Sequence, residues 1–328
     1  MLPIGVLIPT RNSAPYVPQH VADLNKWIAE AREVVVVDSF SNDGTVDLLK
    51  RGLQHPNIRY FDHPPGLYQS WNFGIQQIQS EYCYVSTVGE SITSDGIQHL
   101  TQVMDRFKCD AAVSKPDFIT EQGAPMTSTR WPIDDMVDTL GIREPIALEG
   151  PELFLFTLVN YREAILGSSA SNLYRTKCLQ ALPFPLDYGT AGDGGWGLAN
   201  CLKIRLGITA QKFSTFRDHP KAYTRAEYAV DQLGKKMFER ICQTYREHRA
   251  ADPAFAAVAK QLQVDRIIEL LEARMNFQHQ LEGYRYGGKL WSLNPGAWAA
   301  RSKRNAKTRE VAALKSEGLK LLHARSGS

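Results

Sequence analysis

The chain has 328 residues, 43% of them hydrophobic, which is enough to bury a core in one large domain with an appendage or in two domains. Its 38 basic and 35 acidic residues nearly cancel, which excludes a global electrostatic attraction to nucleic acid. Five widely spaced cysteines without a C-x-x-C pair argue against disulfides or a zinc site and favour a cytoplasmic protein. No signal peptide or membrane span is expected, because the apolar N-terminus breaks at Pro9 and longer apolar stretches contain charges.

Short β-rich segments alternate with segments of helical periodicity in the first half of the chain. Continuous apolar runs predict buried strands at Ile4–Ile8, Val34–Val37, Ile58–Phe61, Tyr82–Val85 and Ala111–Val113. Apolar residues at helical spacing predict helices over 21–28, 46–53, 71–78 and 94–107. This alternation is typical of a Rossmann-like α/β fold with a mostly parallel central sheet and flanking helices. Residues 116–151 are punctuated by Gly and Pro and are expected to form irregular active-site loops.

The second half of the chain is expected to return to the sheet and then to become helical. Residues 168–174 should rejoin the sheet, 193–206 have helical spacing, and the sheet domain should end near His219. We therefore predict a first domain over 1–222 and a C-terminal α-helical region over 223–328. Residues 301–325 carry eight Lys or Arg against two Glu. The segment 290–325 is accordingly expected to form a solvated charged face, with peripheral contact to an anionic membrane surface as the alternative.

Polar residues follow three of the predicted strands, at the point where each strand ends. The first strand leads into Pro9-Thr10-Arg11-Asn12, the second into the polar segment 38–45, and the fourth into the segment 86–91. In a parallel α/β sheet the loops at the carboxyl ends converge, and helix N-termini there offer donors to anions. The pattern predicts a nucleotide pocket at this edge.

Three segments make the pattern more specific. The order I-P-T-R-N, V-V-V-D-S-F-S-N-D-G-T and G-L-Y-Q-S-W-N-F-G-I resembles the N-terminal half of family 2 glycosyltransferases, over about the first hundred residues. The resemblance implies a GT-A fold and the transfer of a sugar, with inversion, from a nucleotide-sugar donor. A later segment, 188–198 followed by Phe216-Arg217-Asp218-His219, resembles more loosely the place where that family has its catalytic acid and a closing Arg/His pair.

The resemblance implies a set of donor nucleotide-binding residues, with Asp38 accepting hydrogen bonds from the base or the ribose. The set is Pro9, Thr10, Arg11, Asn12, Asp38, Ser39, Asn72, Thr87 and Gly89. Asp38 and Asp43 can instead build a turn and cap the next helix, which is the favoured interpretation for Asp43. Asn72 can also hold a loop through side-chain hydrogen bonds, and Tyr68 can face the sugar or cover the core.

The chain departs from the family at the fourth strand, where an Asp-x-Asp pair normally binds a divalent metal and the diphosphate. The aligned positions are Thr87, Gly89 and Glu90, so only Glu90 retains a carboxylate. Dependence on Mn²⁺ or Mg²⁺ is left open. Glu90, Arg217 and His219 are the candidates for contact with the diphosphate or a metal, since cationic side chains also stabilise charge on a leaving group.

Inversion at an anomeric carbon requires a carboxylate that deprotonates the acceptor hydroxyl. Asp193, between glycines at the start of a predicted helix and at the family's catalytic position, is the candidate. Ordinary N-capping calls for the same residue type there. Asp187 is the second candidate, and Trp196 can stack on a sugar ring or belong to the core.

The leading hypothesis is an inverting glycosyltransferase, with a UDP-sugar favoured as donor and a glycan or lipid-linked acceptor in surface polysaccharide or glycolipid synthesis. Such an enzyme would be cytoplasmic, with possible peripheral attachment to the inner membrane face. The alternative is a noncatalytic nucleotide- or carbohydrate-binding protein on the GT-A fold, which the missing Asp-x-Asp pair favours. The sequence lacks the glycine-rich phosphate-binding motifs that a sugar nucleotidyltransferase, a dehydrogenase or a P-loop protein would require.

Overall fold

A ten-stranded sheet forms the centre of the molecule in the computed structural model, which describes residues 1–126, 131–163, 165–166, 169–217, 230–286 and 294–326. The strands are β1 (Ile4–Thr10), β2 (Glu33–Asp38), β3 (Ile58–Asp62), β4 (Tyr82–Val85), β5 (Ser91–Ile92), β6 (Ala111–Ile119), β7 (Pro125–Met126), β8 (Ile146–Leu148), β9 (Asn172–Arg175) and β10 (Leu206–Arg217). Their order is β3-β2-β1-β4-β9-β6-β10-β5, with β7 on β6 and β8 on β10.

Twelve α-helices accompany these strands in the described part of the chain. They are α1 (Val17–Leu24), α2 (Thr45–Gly52), α3 (Leu67–Gln77), α4 (Ser94–Phe107), α5 (Pro132–Leu140), α6 (Gly150–Val159), α7 (Thr176–Ala181), α8 (Gly192–Asn200), α9 (Val230–Ala251), α10 (Pro253–Gln261), α11 (Val264–Tyr286) and α12 (Pro295–Ser326). None of the helices in these ranges combines the length and apolarity that crossing a membrane requires.

The six main strands point in one direction, which confirms the mostly parallel sheet. β1 pairs in parallel with β2 and β4, β2 with β3, and β6 with β10. β9 is antiparallel to both β4 and β6, so it joins the two parallel halves while preserving their common direction. The carboxyl ends of β1 to β4, β6 and β10 therefore lie at one edge of the sheet.

Both faces of the sheet are covered, which explains why β1 and β2 read as unbroken apolar runs. Side chains alternate between faces along a strand. Val34 and Val36 accordingly pack with α1, α2 and α4, whereas Val35 and Val37 pack with α3, α6 and α8. The same two clusters contain most of the buried apolar side chains in the described residues.

Three predictions about the elements were wrong in detail. The helix expected over 21–28 ends at Leu24, and Ile28 lies in a 3₁₀ turn. The helix expected to reach Leu206 ends at Asn200, because Leu206 begins β10. Residues 116–151 contain the end of β6, β7, α5, β8 and the start of α6 rather than only loops. Helix α6 is buried almost all round, so it shows no helical periodicity in the sequence.

The C-terminal helices pack against the second face of the sheet domain. Buried side chains of α9, α10 and α11 belong to the same hydrophobic cluster as those of α6 and α8. The hydroxyl of Thr244 donates to the Leu198 carbonyl at 2.9 Å, and the ammonium of Lys315 lies 2.5 Å from Asp135. The predicted boundary between 222 and 223 lies outside the described residues.

Candidate active site

The loops that follow β1 and β2 are bound to one another. The Asp43 carboxylate accepts from the Ala14 amide at 3.0 Å and from the amide and hydroxyl of Thr45 at 3.1 and 2.6 Å. The Asn12 amide donates to the Ser41 hydroxyl, and the Asn42 amide donates to the Asn12 side-chain oxygen. Asp43 thus builds the turn before α2, which is the interpretation favoured from the sequence. These contacts set the shape of the edge beside Thr10 and Asp38.

Thr10 and Asp38 are partners in register at the ends of β1 and β2, and both are buried. One Asp38 oxygen accepts from the Ser41 amide at 2.8 Å and the other from the Ser41 hydroxyl at 2.5 Å. The Thr10 hydroxyl has no hydrogen-bond partner among the described residues. A buried hydroxyl without a partner is costly.

The remaining predicted donor residues divide into those at the edge and those used inside the protein. Arg11 is exposed, and Pro9 is buried within β1. The hydroxyl of Ser39 lies 2.8 Å from that of Ser70 on α3, so it faces the helix. The side-chain nitrogen of Asn72 donates to the Phe184 carbonyl at 2.8 Å, and its side-chain oxygen accepts from the Phe184 amide at 2.9 Å. Asn72 therefore holds a loop, as its alternative interpretation proposed.

The loop after β4 carries Glu90 and is held from two sides. One Glu90 carboxylate oxygen accepts from the hydroxyl of Ser169 and the amide of Ala170, both at 3.3 Å. The hydroxyl of Thr87 lies 2.7 Å from that of Ser169. Gly89 has φ +103°, a conformation that residues with a side chain rarely adopt. Thr87, Gly89 and Glu90 are therefore brought together beside the segment that leads into β9.

His20 supports the same loop and was not singled out from the sequence. Its Nδ1 lies 3.1 Å from the Glu90 carbonyl oxygen and its Nε2 3.3 Å from the Ser86 hydroxyl. Burial lowers the pKa of His20 to about 4, so the ring is neutral at physiological pH. A neutral imidazole donates through one nitrogen and accepts through the other, which suits these two partners.

Arg217, at the end of β10, joins two loops of this edge. Its guanidinium donates to the carbonyl of Glu121 at 2.8 Å and to those of Gly89 and Thr120 at 3.4 Å each. The Tyr16 hydroxyl donates to the Glu121 carboxylate at 3.2 Å. Arg217 thus binds the backbone of the Glu90 loop, a contact that its predicted role at the diphosphate did not anticipate. His219 lies outside the described residues.

Asp193 is the second residue of α8, one position after the start of the helix, and Ala191 occupies the N-cap position. Its carboxylate accepts from the Gly194 amide at 2.7 Å, while the helix has no side-chain cap. The Tyr68 hydroxyl donates to the Thr190 carbonyl at 3.1 Å and lies beside the Asp193 carboxylate. Burial raises the pKa of Asp193 to about 6, although the hydrogen bond from Gly194 and the neighbouring Tyr68 hydroxyl oppose the shift.

Aromatic packing fixes Tyr68 beneath Asp193. The Tyr68 ring stacks on Phe184 with ring centroids 5.4 Å apart. A Cβ on Gly192 would approach the Tyr68 ring to 2.4 Å, so this position admits only glycine without a shift of the ring. Trp196 is fully buried, and its indole donates to the Leu182 carbonyl at 2.6 Å. Trp196 therefore belongs to the core and is not available to stack on a sugar.

Asp187 differs from Asp193 in every relevant respect. Its carboxylate is exposed and lies 2.6 Å from the Lys236 ammonium. The hydrogen bond from Lys236 lowers the pKa of Asp187. An exposed, ion-paired carboxylate of this kind is a weak general base.

The short strand β9 relates Glu90 to Asp193. Ser169 and Ala170, just before β9, contact the Glu90 carboxylate. Tyr174 is the third residue of β9, and its pKa is raised by burial and further by the charge of Asp193. Because β9 has only four residues, the two carboxylates lie beside the same stretch of backbone. Glu90, in the loop after β4, and the partly buried Asp193 therefore lie near one another at the carboxyl edge of the sheet.

A divalent metal beside the loop after β4 would find the Glu90 carboxylate there. The described ranges contain no group of three or more His, Cys, Asp or Glu side chains placed to hold a metal ion. Mg²⁺ in nucleotide sites is commonly bound by one or two carboxylates together with substrate phosphates and water. Glu90 fits such a site only if the diphosphate supplies most of the ligands.

The sheet order and the strand-end loops define an α/β fold of the GT-A type. Residues 5–159, slightly under half of the chain, match the family model described as glycosyl transferase family 2. The chain is similar in fold to S. aureus TarS 1-349 in complex with UDP-GlcNAc, with a TM-score of 0.54, and to S. aureus TarS 1-349, with a TM-score of 0.50. Each comparison has 17% identity and covers 97% of this chain and 92% of that chain. No curated protein sequence matches the chain.

The opposite pKa shifts of Asp193 and Asp187 predict opposite effects on stability. The unfolded chain loses the Asp193 proton near the ordinary pKa of 3.8, whereas the folded protein keeps it up to about 6. Between these values the free energy of unfolding falls as the pH rises, and the penalty above pH ~6 is on the order of 3 kcal/mol. Asp193→Asn should therefore gain stability over the wild type at about pH 8 and lose that advantage near pH 4, measured by urea unfolding.

Asp187→Asn is the matched control for this measurement. Its lowered pKa means that the ionised form stabilises the fold, an effect present above the ordinary pKa and lost as the pH falls through the folded value. The substitution should therefore lower stability slightly at neutral pH. Equal pH dependence in the two variants would contradict the assignment of Asp193 as the buried carboxylate.

Proposed function

We propose that this chain is an inverting glycosyltransferase that moves a sugar from a nucleotide-sugar donor, with a UDP-sugar favoured, to a glycan or lipid-linked acceptor in surface polysaccharide or glycolipid synthesis. The observation that carries the proposal is the Asp193 carboxylate: it lies in the first turn of α8, forms no ion pair in the described residues, and has its pKa raised by burial to about 6. A carboxylate with those properties suits a general base. The TarS complex with UDP-GlcNAc on the same fold supports the choice of donor.

The proposed reaction is a single displacement. The acceptor hydroxyl gives its proton to Asp193 while its oxygen forms a bond to the anomeric carbon. The bond from that carbon to the diphosphate oxygen breaks on the opposite face, and the nucleoside diphosphate leaves with the electron pair. The Gly194 amide orients the base through its hydrogen bond, and Tyr68 lies beside it. Precise placement of the reacting groups contributes substantially to such a step.

Donor binding is proposed at the ends of β1 and β2. Asp38 would accept from the base or ribose with the lone pairs that Ser41 does not use, and the unpartnered Thr10 hydroxyl would gain a bond. A metal, where required, would neutralise diphosphate charge beside Glu90. Arg217 supports the same region by holding the Gly89 carbonyl.

Replacing Asp38 should weaken nucleotide binding. Asp38→Asn keeps an acceptor for Ser41 but removes the charge, and hydrogen bonds to a charged group contribute roughly 1.5–3 kcal/mol. Calorimetric titration with UDP, UDP-GlcNAc, GDP and CMP should show selective binding to the wild type and a loss of about tenfold or more in Asp38→Asn. Asp47→Asn, on the exposed side of α2, is the matched control. If none of these nucleotides binds, the transferase proposal loses its main support.

Replacing Asp193 should abolish turnover and leave donor binding intact. General-base catalysis contributes roughly 10²- to 10⁴-fold. Release of UDP from the donor should fall by about that factor in Asp193→Asn, while its affinity for the donor stays close to wild type. The wild-type rate should decline as the pH falls through about 6, because protonation removes the base. Asp187→Asn should retain activity. Donor binding without UDP release at any pH would favour the noncatalytic alternative, which the absent Asp-x-Asp pair also suggests.

Replacing Glu90 should separate metal binding from nucleotide binding. We expect Mn²⁺ or Mg²⁺ to strengthen donor binding to the wild type and to have no effect on Glu90→Gln. Glu81→Gln removes a carboxylate at the opposite edge, where it pairs with Arg175, and serves as control. Donor affinity that is independent of added metal and of chelator in both proteins would show that the diphosphate is bound without a divalent cation.

A further inference from the structure

Helix α12 presents one long face to solvent. At about 1.5 Å per residue its 32 residues extend roughly 48 Å. Its other face packs against α11, where Ala297 and Ala300 are buried, and against α6 near Gly318. The inner face makes the packing contacts of this helix, so the side chains of the outer face are not needed to stabilise the fold.

The outer face is basic and carries two exposed large apolar side chains. Trp298 and Leu321 are 59% and 47% exposed, two of only six large apolar residues so exposed in the described part of the chain. Three exposed cations share this side of the helix, against one exposed acid, Glu317: Arg301, Arg309 and Lys320. Glu310, the other acid of α12, is bound by Arg266 at 2.8 Å and by Lys307 at 3.3 Å. The outer face therefore keeps a net positive charge.

We infer that the outer face of α12 binds peripherally to an anionic lipid surface. Lys and Arg near such a surface each contribute attraction that decays within a Debye length, so several on one straight helix act together. Trp is favoured at the boundary between headgroups and acyl chains. Many outer-face positions are Ala or Ser, so the helix adsorbs electrostatically and does not insert deeply. The exposed Trp298 and Leu321 favour lipid over nucleic acid, for which charge alone would suffice.

Vesicle co-sedimentation of the full chain tests this inference. Vesicles of phosphatidylglycerol and phosphatidylcholine should bind the protein, pure phosphatidylcholine vesicles should not, and added salt should weaken binding. The triple variant Arg301→Gln, Arg309→Gln and Lys320→Gln should bind at least about tenfold more weakly. A second triple variant, Lys50→Gln, Arg51→Gln and Arg106→Gln, removes the same charge from exposed positions on α2 and α4 and should bind like the wild type.

Two further measurements distinguish lipid from other partners. The difference in fluorescence between wild type and Trp298→Phe should shift to shorter wavelength on anionic vesicles, because Trp298 enters the headgroup region. Equal losses in the two triple variants, equal binding to neutral vesicles, or tighter binding to duplex DNA than to vesicles would each overturn the inference. Concentration-dependent self-association that the α12 triple variant abolishes would assign the face to a second copy instead. None of these measurements uses nucleotide or turnover, so their outcome is independent of the proposed transferase activity.

Discussion

The hydrogen bonds and packing that hold the Asp193 carboxylate are the constraint on which the rest of the site depends. Burial removes water from the ionised group, and the Gly194 amide and the nearby Tyr68 hydroxyl replace part of that hydration. The pKa of Asp193 is raised because this replacement is incomplete. A fully compensated carboxylate would be a weaker base, and an uncompensated one would be protonated at neutral pH. The Tyr68 position therefore sets a balance between stability and basicity.

The position of Tyr68 depends on residues well outside α8. Tyr68 is held by the stack on Phe184, and Phe184 is held through its backbone by Asn72. A polar residue of α3 thus positions a loop more than a hundred residues away in sequence. Because α3 also packs on β1 and β2, whose ends form the candidate donor pocket, one helix relates the two halves of the site. Small displacements of α3 would therefore move groups both at the candidate donor pocket and beside Asp193.

Much of the fold was predictable because its signals are local. Buried parallel strands such as β2 are continuous apolar runs, and the four helices of the first half show periodicity, so element type and the polar strand ends could be read directly. The contacts of Glu90 with Ser169 and Ala170 could not be predicted from the sequence, because they depend on β9 returning to the middle of the sheet. His20 was missed for a similar reason: nothing in its neighbourhood along the chain shows that its ring lies under the Glu90 loop. Arg217 was expected at the edge, but its bonds to three backbone carbonyls follow from the pairing of β6 with β10.

The helical region is better understood as part of the unit that carries the candidate active site than as an independent appendage. Helix α8, which carries Asp193, is bound on its outer side by α9 through the bond from Thr244 to the Leu198 carbonyl. Lys236 of α9 also pairs with Asp187 in the loop that leads to α8. Helix α6 packs against α8 and α12, and Lys315 of α12 is buried against Asp135 and Phe156. The helix that carries the proposed lipid-binding face therefore shares a core with the helix that carries the proposed base, and a surface that orients α12 would orient the candidate active site as well.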